Sequence, residues 1–213
     1  MRLAEADRRL GHLDEDRLDR IASTVDELLA QLEAHEDAGV TGLPYPDMSA
    51  NPGAAIAIEH ARAQSQLIEE ESRSPRSILC IPGSGKLDEA AALVLAYMLR
   101  HRGIGALAEE ADALSMSKFF SLDMTDTSLA CVCCVSQLST TKMQDAVRRL
   151  NKKNADVRIL LALLGLEAAT SSMAVVGATV ARGSFGTALE AIVQATSEQR
   201  GDATANAQNT IAT

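Results

Sequence analysis

From Ser77 onward, the chain alternates short apolar runs with segments of helical periodicity. Strands joined by helices require right-handed crossovers, so they pair in parallel and form a sheet that is covered on both faces. We predict strands over residues 77–81, 105–109, 129–135, 158–163 and 178–181. We predict helices over residues 88–101, 114–120, 140–151, 168–175 and 184–196.

The runs at 129–135 and 158–163 are continuously apolar rather than alternating, which is typical of central strands in a parallel sheet. The predicted fold class is therefore α/β and flavodoxin-like, with a five-stranded parallel sheet in the order 2-1-3-4-5. In such folds, ligands bind in the crevice at the carboxyl ends of the strands, where the strand order reverses. Here that crevice lies between the first and third strands.

The N-terminal part of the chain does not show this alternation of apolar runs and helical segments. Apolar residues spaced by three and four predict an amphipathic helix over 13–35, with Asp14 as its N-cap. A Gly- and Pro-containing connection at 38–51, a second helix at 53–71 and a linker at 72–76 follow. We thus divide the chain into a helical N-terminal segment (1–76), an α/β domain (77–197) and a disordered tail (198–213).

Charge and composition exclude several classes of function. A net charge of −9 argues against a nucleic-acid partner, and 2% aromatic residues leave few stacking surfaces for bases. We interpret the basic cluster at Arg148, Arg149, Lys152 and Lys153 as the solvated last turn of a helix, where cations complement the helix dipole. No run of about twenty apolar residues is present, so we expect no membrane span and a cytoplasmic location.

The segment Gly83-Ser84-Gly85-Lys86 after the first strand invites comparison with phosphate-binding loops. A Walker loop would need Gly where Cys80 stands and Ser or Thr where Leu87 stands. The third glycine of a dinucleotide-binding fingerprint would fall on Asp88. We therefore favour a strand-to-helix turn with Asp88 capping the helix, and keep a ligand site as an alternative, at Gly83, Ser84, Gly85, Lys86, Asp88 and Ser136.

The cysteines raise a second alternative. Cys80, Cys131 and Cys133 fall on adjacent strands with their side chains on one face, whereas Cys134 faces the other side of the sheet. Buried thiols in apolar surroundings are the default interpretation, and a thiol redox switch is the functional one.

Other candidate groups lack a catalytic setting. The four histidines (His12, His35, His60 and His101) fall in helical segments away from any nucleophile, and Asp123 and Asp126 are expected to be turn residues. We therefore expect no catalytic residues, no metal site and no enzymatic activity.

Several runs carry a family resemblance: residues 79–83 (LCIPG), 87–92 (LDEAAA), 102–106 (RGIGA), 129–135 (LACVCCV) and 148–150 (RRL). Together they resemble a cobalamin-binding-like domain, in the version found as the cytoplasmic C-terminal tail of permeases of the autoinducer-2 exporter type. In those permeases a helix resembling residues 13–37 follows the last membrane span. The resemblance covers about two thirds of the chain.

The resemblance implies the fold but not the cofactor. Cobalamin-binding members carry an Asp-x-His-x-x-Gly loop, and Lys86, Asp88 and Ala91 stand at those positions here. The cobalt ligand is therefore absent, and we expect no cobalamin. A Ser-x-Leu is retained at 136–138, but Ala162 and Leu163 replace the Gly-Gly that admits the nucleotide tail.

Three functional hypotheses follow. The first is a non-catalytic, cytoplasmic regulatory or scaffolding domain related to permease tails, with a membrane transporter as partner or with self-association through the N-terminal helix. The second is a small-molecule sensor that holds a phosphate or nucleotide in the crevice after the first strand. The third is the thiol redox switch.

Overall fold

The computed structural model describes residues 2–37, 74, 76–135, 139–165 and 175–210. The predicted loop at 38–51, the predicted helix at 53–71 and all but the last residue of the predicted helix at 168–175 lie outside these ranges. The helices are α1 (Arg2–Arg9), α2 (Glu15–Asp37), α3 (Gly85–His101), α4 (Thr140–Lys153) and α5 (Phe185–Thr210). The strands are β1 (Ile78–Pro82), β2 (Ala106–Ala108), β3 (Leu129–Cys134), β4 (Arg158–Leu164) and β5 (Thr179–Gly183).

The sheet confirms the predicted fold class. Its five strands are all parallel and lie in the order β2-β1-β3-β4-β5. In the register of the central strands, Cys80 of β1 pairs with Cys131 of β3, which in turn pairs with Leu160 of β4. The reversal of strand order between β1 and β3 places a crevice at their carboxyl ends.

Alternate residues of each central strand enter two separate cores. Cys80, Cys131 and Leu160 pack on one face against α3 and α5, while Val132 and Leu161 pack on the other face against α4. Every residue of β1 and β3 is buried. Burial on both faces explains why these strands are apolar throughout rather than alternating.

Helix α2 lies along α3 as an additional layer. Leu18 and Ala22 are buried at this contact. Asp19 pairs with Lys86 near the start of α3 at 3.5 Å, and Glu33 accepts from Arg100 Nε near its end at 2.9 Å. These two pairs show that the helices run in the same direction. The Asp14 side chain accepts the Arg17 N–H at 2.9 Å, which confirms Asp14 as the N-cap.

Two segments differ from the predicted helices. Residues 114–120 form successive turns, in part because the Ser115 hydroxyl accepts the Lys118 N–H and competes with helical hydrogen bonding. Helix α5 continues to Thr210, beyond the predicted end at residue 196 and into the predicted disordered tail. This extension contains Gly201 but no proline, which is the residue that disrupts a helix most strongly. No helix among the described residues is long and apolar enough to cross a bilayer.

Candidate ligand crevice at the carboxyl edge of the sheet

The turn between β1 and α3 forms the floor of the crevice. The Gly83 N–H donates to the Cys133 carbonyl at 2.8 Å, which extends the pairing of β1 with β3 past the end of β1. Ser84 is the N-cap residue of α3, and Gly85 follows with a φ of +75°. That left-handed conformation favours glycine, so the second glycine of the sequence motif serves the backbone of the turn.

Asp88 is the fully buried carboxylate of this crevice. Its Oδ2 accepts the Ser84 N–H at 2.8 Å, and its Oδ1 accepts the Val135 N–H at 2.7 Å. The side chain therefore ties the β1–α3 turn to the end of β3. The helix begins at Gly85, so Asp88 is not its N-cap residue. It accepts the N–H of the N-cap residue from four positions further on, one position later than the acidic residue of a capping box.

Lys86 does not face the crevice. Its Nζ lies 2.9 Å from a Glu89 carboxylate oxygen and 3.5 Å from an Asp19 oxygen on α2. The interaction with Glu89 raises the pKa of the Lys86 ammonium. Two carboxylates thus compensate the only cation of the predicted loop, which leaves the phosphate interpretation without its positive charge.

Helix α1, which the sequence analysis missed, lies close to the crevice. Glu5 is buried and accepts from Arg8 Nε at 2.7 Å and from Arg9 Nε at 3.0 Å. The hydrogen bond from Arg8 holds the pKa of Glu5 below its usual value. The sequence feature that could have predicted α1 is helix propensity, because residues 2–9 consist of Arg, Leu, Ala, Glu and Asp with no helix breaker.

A cavity of about 400 Å³ separates α1 from the ends of β3 and β4. Its lining is mostly apolar and consists of Glu5, Ala6, Arg9 and Leu10 on one side and Val135, Leu164 and Gly165 on the other. The volume falls in the range of small-molecule pockets. Ser136, the remaining predicted ligand residue, lies outside the described residues.

The three predicted thiols come together on one face of the sheet, in the core beneath α3, and Cys134 lies in the opposite core. All four cysteines are buried. A hydrogen bond with Cys133 and burial raise the pKa of Cys80 well above its ordinary value, and burial raises that of Cys134. These thiols remain protonated at neutral pH, so they lack the thiolate that redox exchange requires.

The remaining candidates have structural partners. Asp123 accepts the Thr125 N–H at 2.9 Å and pairs with Arg76 at 2.6 Å, and Asp126 has a φ of +58°, so both are turn residues as predicted. Three of the histidines are exposed on helices or beside them, whereas His60 lies outside the described residues. Within the described ranges, no group of three or more metal-ligating side chains could hold an ion.

Comparison of the chain with models of known protein families and with curated proteins found no match.

Replacing Asp88 with Asn tests the bridge between the turn and β3. One carboxylate oxygen becomes an amide N–H₂ that cannot accept, so one buried N–H loses its partner, which typically costs about 1–3 kcal/mol. We expect the free energy of unfolding in urea, followed by circular dichroism, to fall by that amount. Asp145→Asn on exposed α4 is the matched control and should change it by less than about 0.5 kcal/mol. Equal stability of the two variants would contradict the bridging role.

Labelling with iodoacetamide tests the state of the thiols. The folded protein should react only as fast as it unfolds, because protonated, buried thiols are poor nucleophiles. All four cysteines should react promptly in urea. Mass spectrometry of samples taken over time measures both rates. Prompt modification of the folded chain would restore the redox hypothesis.

Proposed function

We propose that this chain is a non-catalytic regulatory or scaffolding domain, related to permease tails, that acts by protein contacts through helix α2. The observation that carries the proposal is an apolar stripe on α2 that continues beyond its contact with α3. Leu28 is 53% exposed and Leu32 is 43% exposed, although the helix is already docked on α3. Exposed leucines grouped on one helix face are typical of a contact surface.

The spacing of this face matches helix pairing. Ile21, Val25, Leu28 and Leu32 follow one another at intervals of four, three and four residues, which is the pattern of a coiled-coil seam. Ile21 and Val25 are half-buried, so the seam emerges from the α2–α3 contact and becomes exposed toward the C-terminal half of the helix. A second helix can therefore pack there without disturbing the core.

The docking of α2 supports a regulatory role. Its ion pairs with Lys86 and Arg100 bracket α3 from end to end. In permeases with such tails, the corresponding helix follows the last membrane span. A movement imposed on α2 would therefore be passed to α3, and through Asp88 to the turn above the sheet.

Self-association provides the test. We expect a concentration-dependent dimer in sedimentation equilibrium. Leu28→Ser combined with Leu32→Ser should weaken it by at least about 3 kcal/mol, or more than about 100-fold, because each buried leucine contributes roughly 1.5–3 kcal/mol. Leu3→Ser with Leu10→Ser removes two other exposed leucines, one on α1 and one directly after it, and should leave the dimer intact. A wild-type chain that stays monomeric at high concentration would refute self-association through α2.

A second candidate function is a small-molecule sensor. The cavity between α1 and the carboxyl edge of the sheet favours it, because its lining is mostly apolar and also includes the charged residues Glu5 and Arg9. Such a composition suits an amphipathic molecule better than a phosphate. Displacement of α1 would then report that the ligand is bound.

Native mass spectrometry of the gently purified chain tests the sensor function. A bound ligand would appear as a discrete added mass that is absent from the denatured protein. Ala6→Trp places a bulky side chain beside the cavity and should abolish that mass, whereas Ala30→Trp on exposed α2 should retain it. A wild-type spectrum without added mass would contradict this candidate.

A further inference from the structure

Charge is distributed unevenly over this acidic chain. Helix α4 carries five basic residues and one acidic residue, whereas the chain as a whole has a net charge of −9. Its apolar side, with Met143, Val147 and Leu150, is buried against the sheet. The outward side presents Lys142, Arg148 and Lys152, all exposed. Arg149 and Lys153 are half-buried against the preceding segment of turns, and the one acidic residue, Asp145, lies 3.6 Å from Arg148. The exposed positive charge of the helix therefore comes from Lys142, Arg148 and Lys152, which extend from its first turn to its last.

Exposed apolar side chains flank this helix. Phe120 is 80% exposed, and Lys153 Nζ holds its carbonyl at 3.0 Å. Met116, in the same segment of turns, is 72% exposed. On the other flank, Val176 is 79% exposed and Gln144 Nε2 donates to its carbonyl at 3.0 Å. The contacts from Lys153 and Gln144 fix both flanks to α4.

The segment that carries Phe120 is held against α4 by side chains of that helix. The Arg149 guanidinium lies 4.2 Å from the centre of the buried Phe119 ring and donates to the Leu114 carbonyl at 2.9 Å. Phe120 is one of only three phenylalanines in the chain. The structure thus positions a scarce aromatic side chain so that it protrudes into solvent beside a basic helix.

We propose that this basic face, formed by the outward side of α4 with Phe120, Met116 and Val176, binds an anionic phospholipid surface. The basic side chains would lie at the headgroups, and the three apolar side chains would enter the interface between headgroups and acyl chains. Electrostatic attraction combined with apolar insertion is the usual basis of reversible interfacial binding.

The shape of the face favours a lipid surface over an acidic protein. Protein contacts concentrate their energy in packed pockets, whereas here the apolar side chains protrude singly on both sides of a helix. Because α4 and α2 lie on opposite sides of the sheet, lipid binding does not depend on the proposed contacts of α2.

Vesicle co-sedimentation with the full chain tests the charge requirement. The chain should sediment with equal-part phosphatidylcholine–phosphatidylglycerol vesicles at low salt, and not with phosphatidylcholine alone. Arg148→Glu with Lys152→Glu should lower the partition coefficient by at least about 25-fold, from about five-fold for each of the two basic residues lost. Arg17→Glu with Arg20→Glu makes the same charge change on α2 and should lower it far less. Equal losses, or no sedimentation, would overturn the proposal and leave the face to an acidic protein.

Fluorescence tests the apolar insertion separately. The chain contains no tryptophan, so Phe120→Trp introduces a unique reporter. Its emission should shift to the blue on addition of the anionic vesicles, while that of Thr24→Trp on exposed α2 should not move. Thermal unfolding of each variant confirms that it is folded. Sedimentation without a shift at residue 120 would overturn the insertion of this face.

Discussion

The buried carboxylate of Asp88 connects the turn after β1 to the end of β3, at the point where the strand order reverses. Asp88 accepts backbone N–H groups from Ser84, before α3, and from Val135, after β3. Strands β1 and β3 are neighbours in the sheet, so Asp88 joins the segments that follow two adjacent strands. A charge in this position is stabilised because its hydrogen bonds replace water and because it lies in the first turn of a helix. The packing of α3 on the sheet therefore depends on the β1–α3 turn, whose geometry the Asp88 hydrogen bonds define.

The same carboxylate limits what the crevice can bind. Backbone N–H groups at a helix N-terminus are the usual ligands of phosphate, and here Asp88 already uses the Ser84 N–H. A phosphate at this turn would have to approach a buried negative charge, with Lys86 turned toward α2. The remaining open space lies between α1 and the ends of β3 and β4, and it is mostly apolar. The glycine-containing turn that the sequence motif suggested is therefore electrostatically unfavourable for a phosphate. The open cavity beside α1 is a different site.

Most features that leave a local pattern in the sequence were predicted correctly, whereas ion pairs between residues far apart in the chain were not. The central strands followed from continuous apolar runs, because burial on both faces leaves a local signature. Their order followed from the topology that parallel strands with helical crossovers adopt. The pairing of Lys86 with Asp19 could not be predicted, since the two residues lie far apart in sequence and their contact depends on how α2 packs. The turns at 114–120 were mistaken for a helix because Met116, Phe119 and Phe120 follow helical spacing. In the structure, the Ser115 side chain takes a backbone hydrogen bond that a helix would use.

The sheet divides the surface into two sides of different character. On the α3 side, α2 is acidic and exposes leucines in a seam, which suits pairing with another helix. On the α4 side, basic and apolar residues are interspersed, which suits an anionic interface. A domain with a net negative charge is repelled by anionic lipid unless its positive residues are gathered on one side, so this segregation also determines orientation. With α4 toward the lipid, α2 would face away from it and remain accessible to a partner, so both proposed contacts are compatible in a single arrangement.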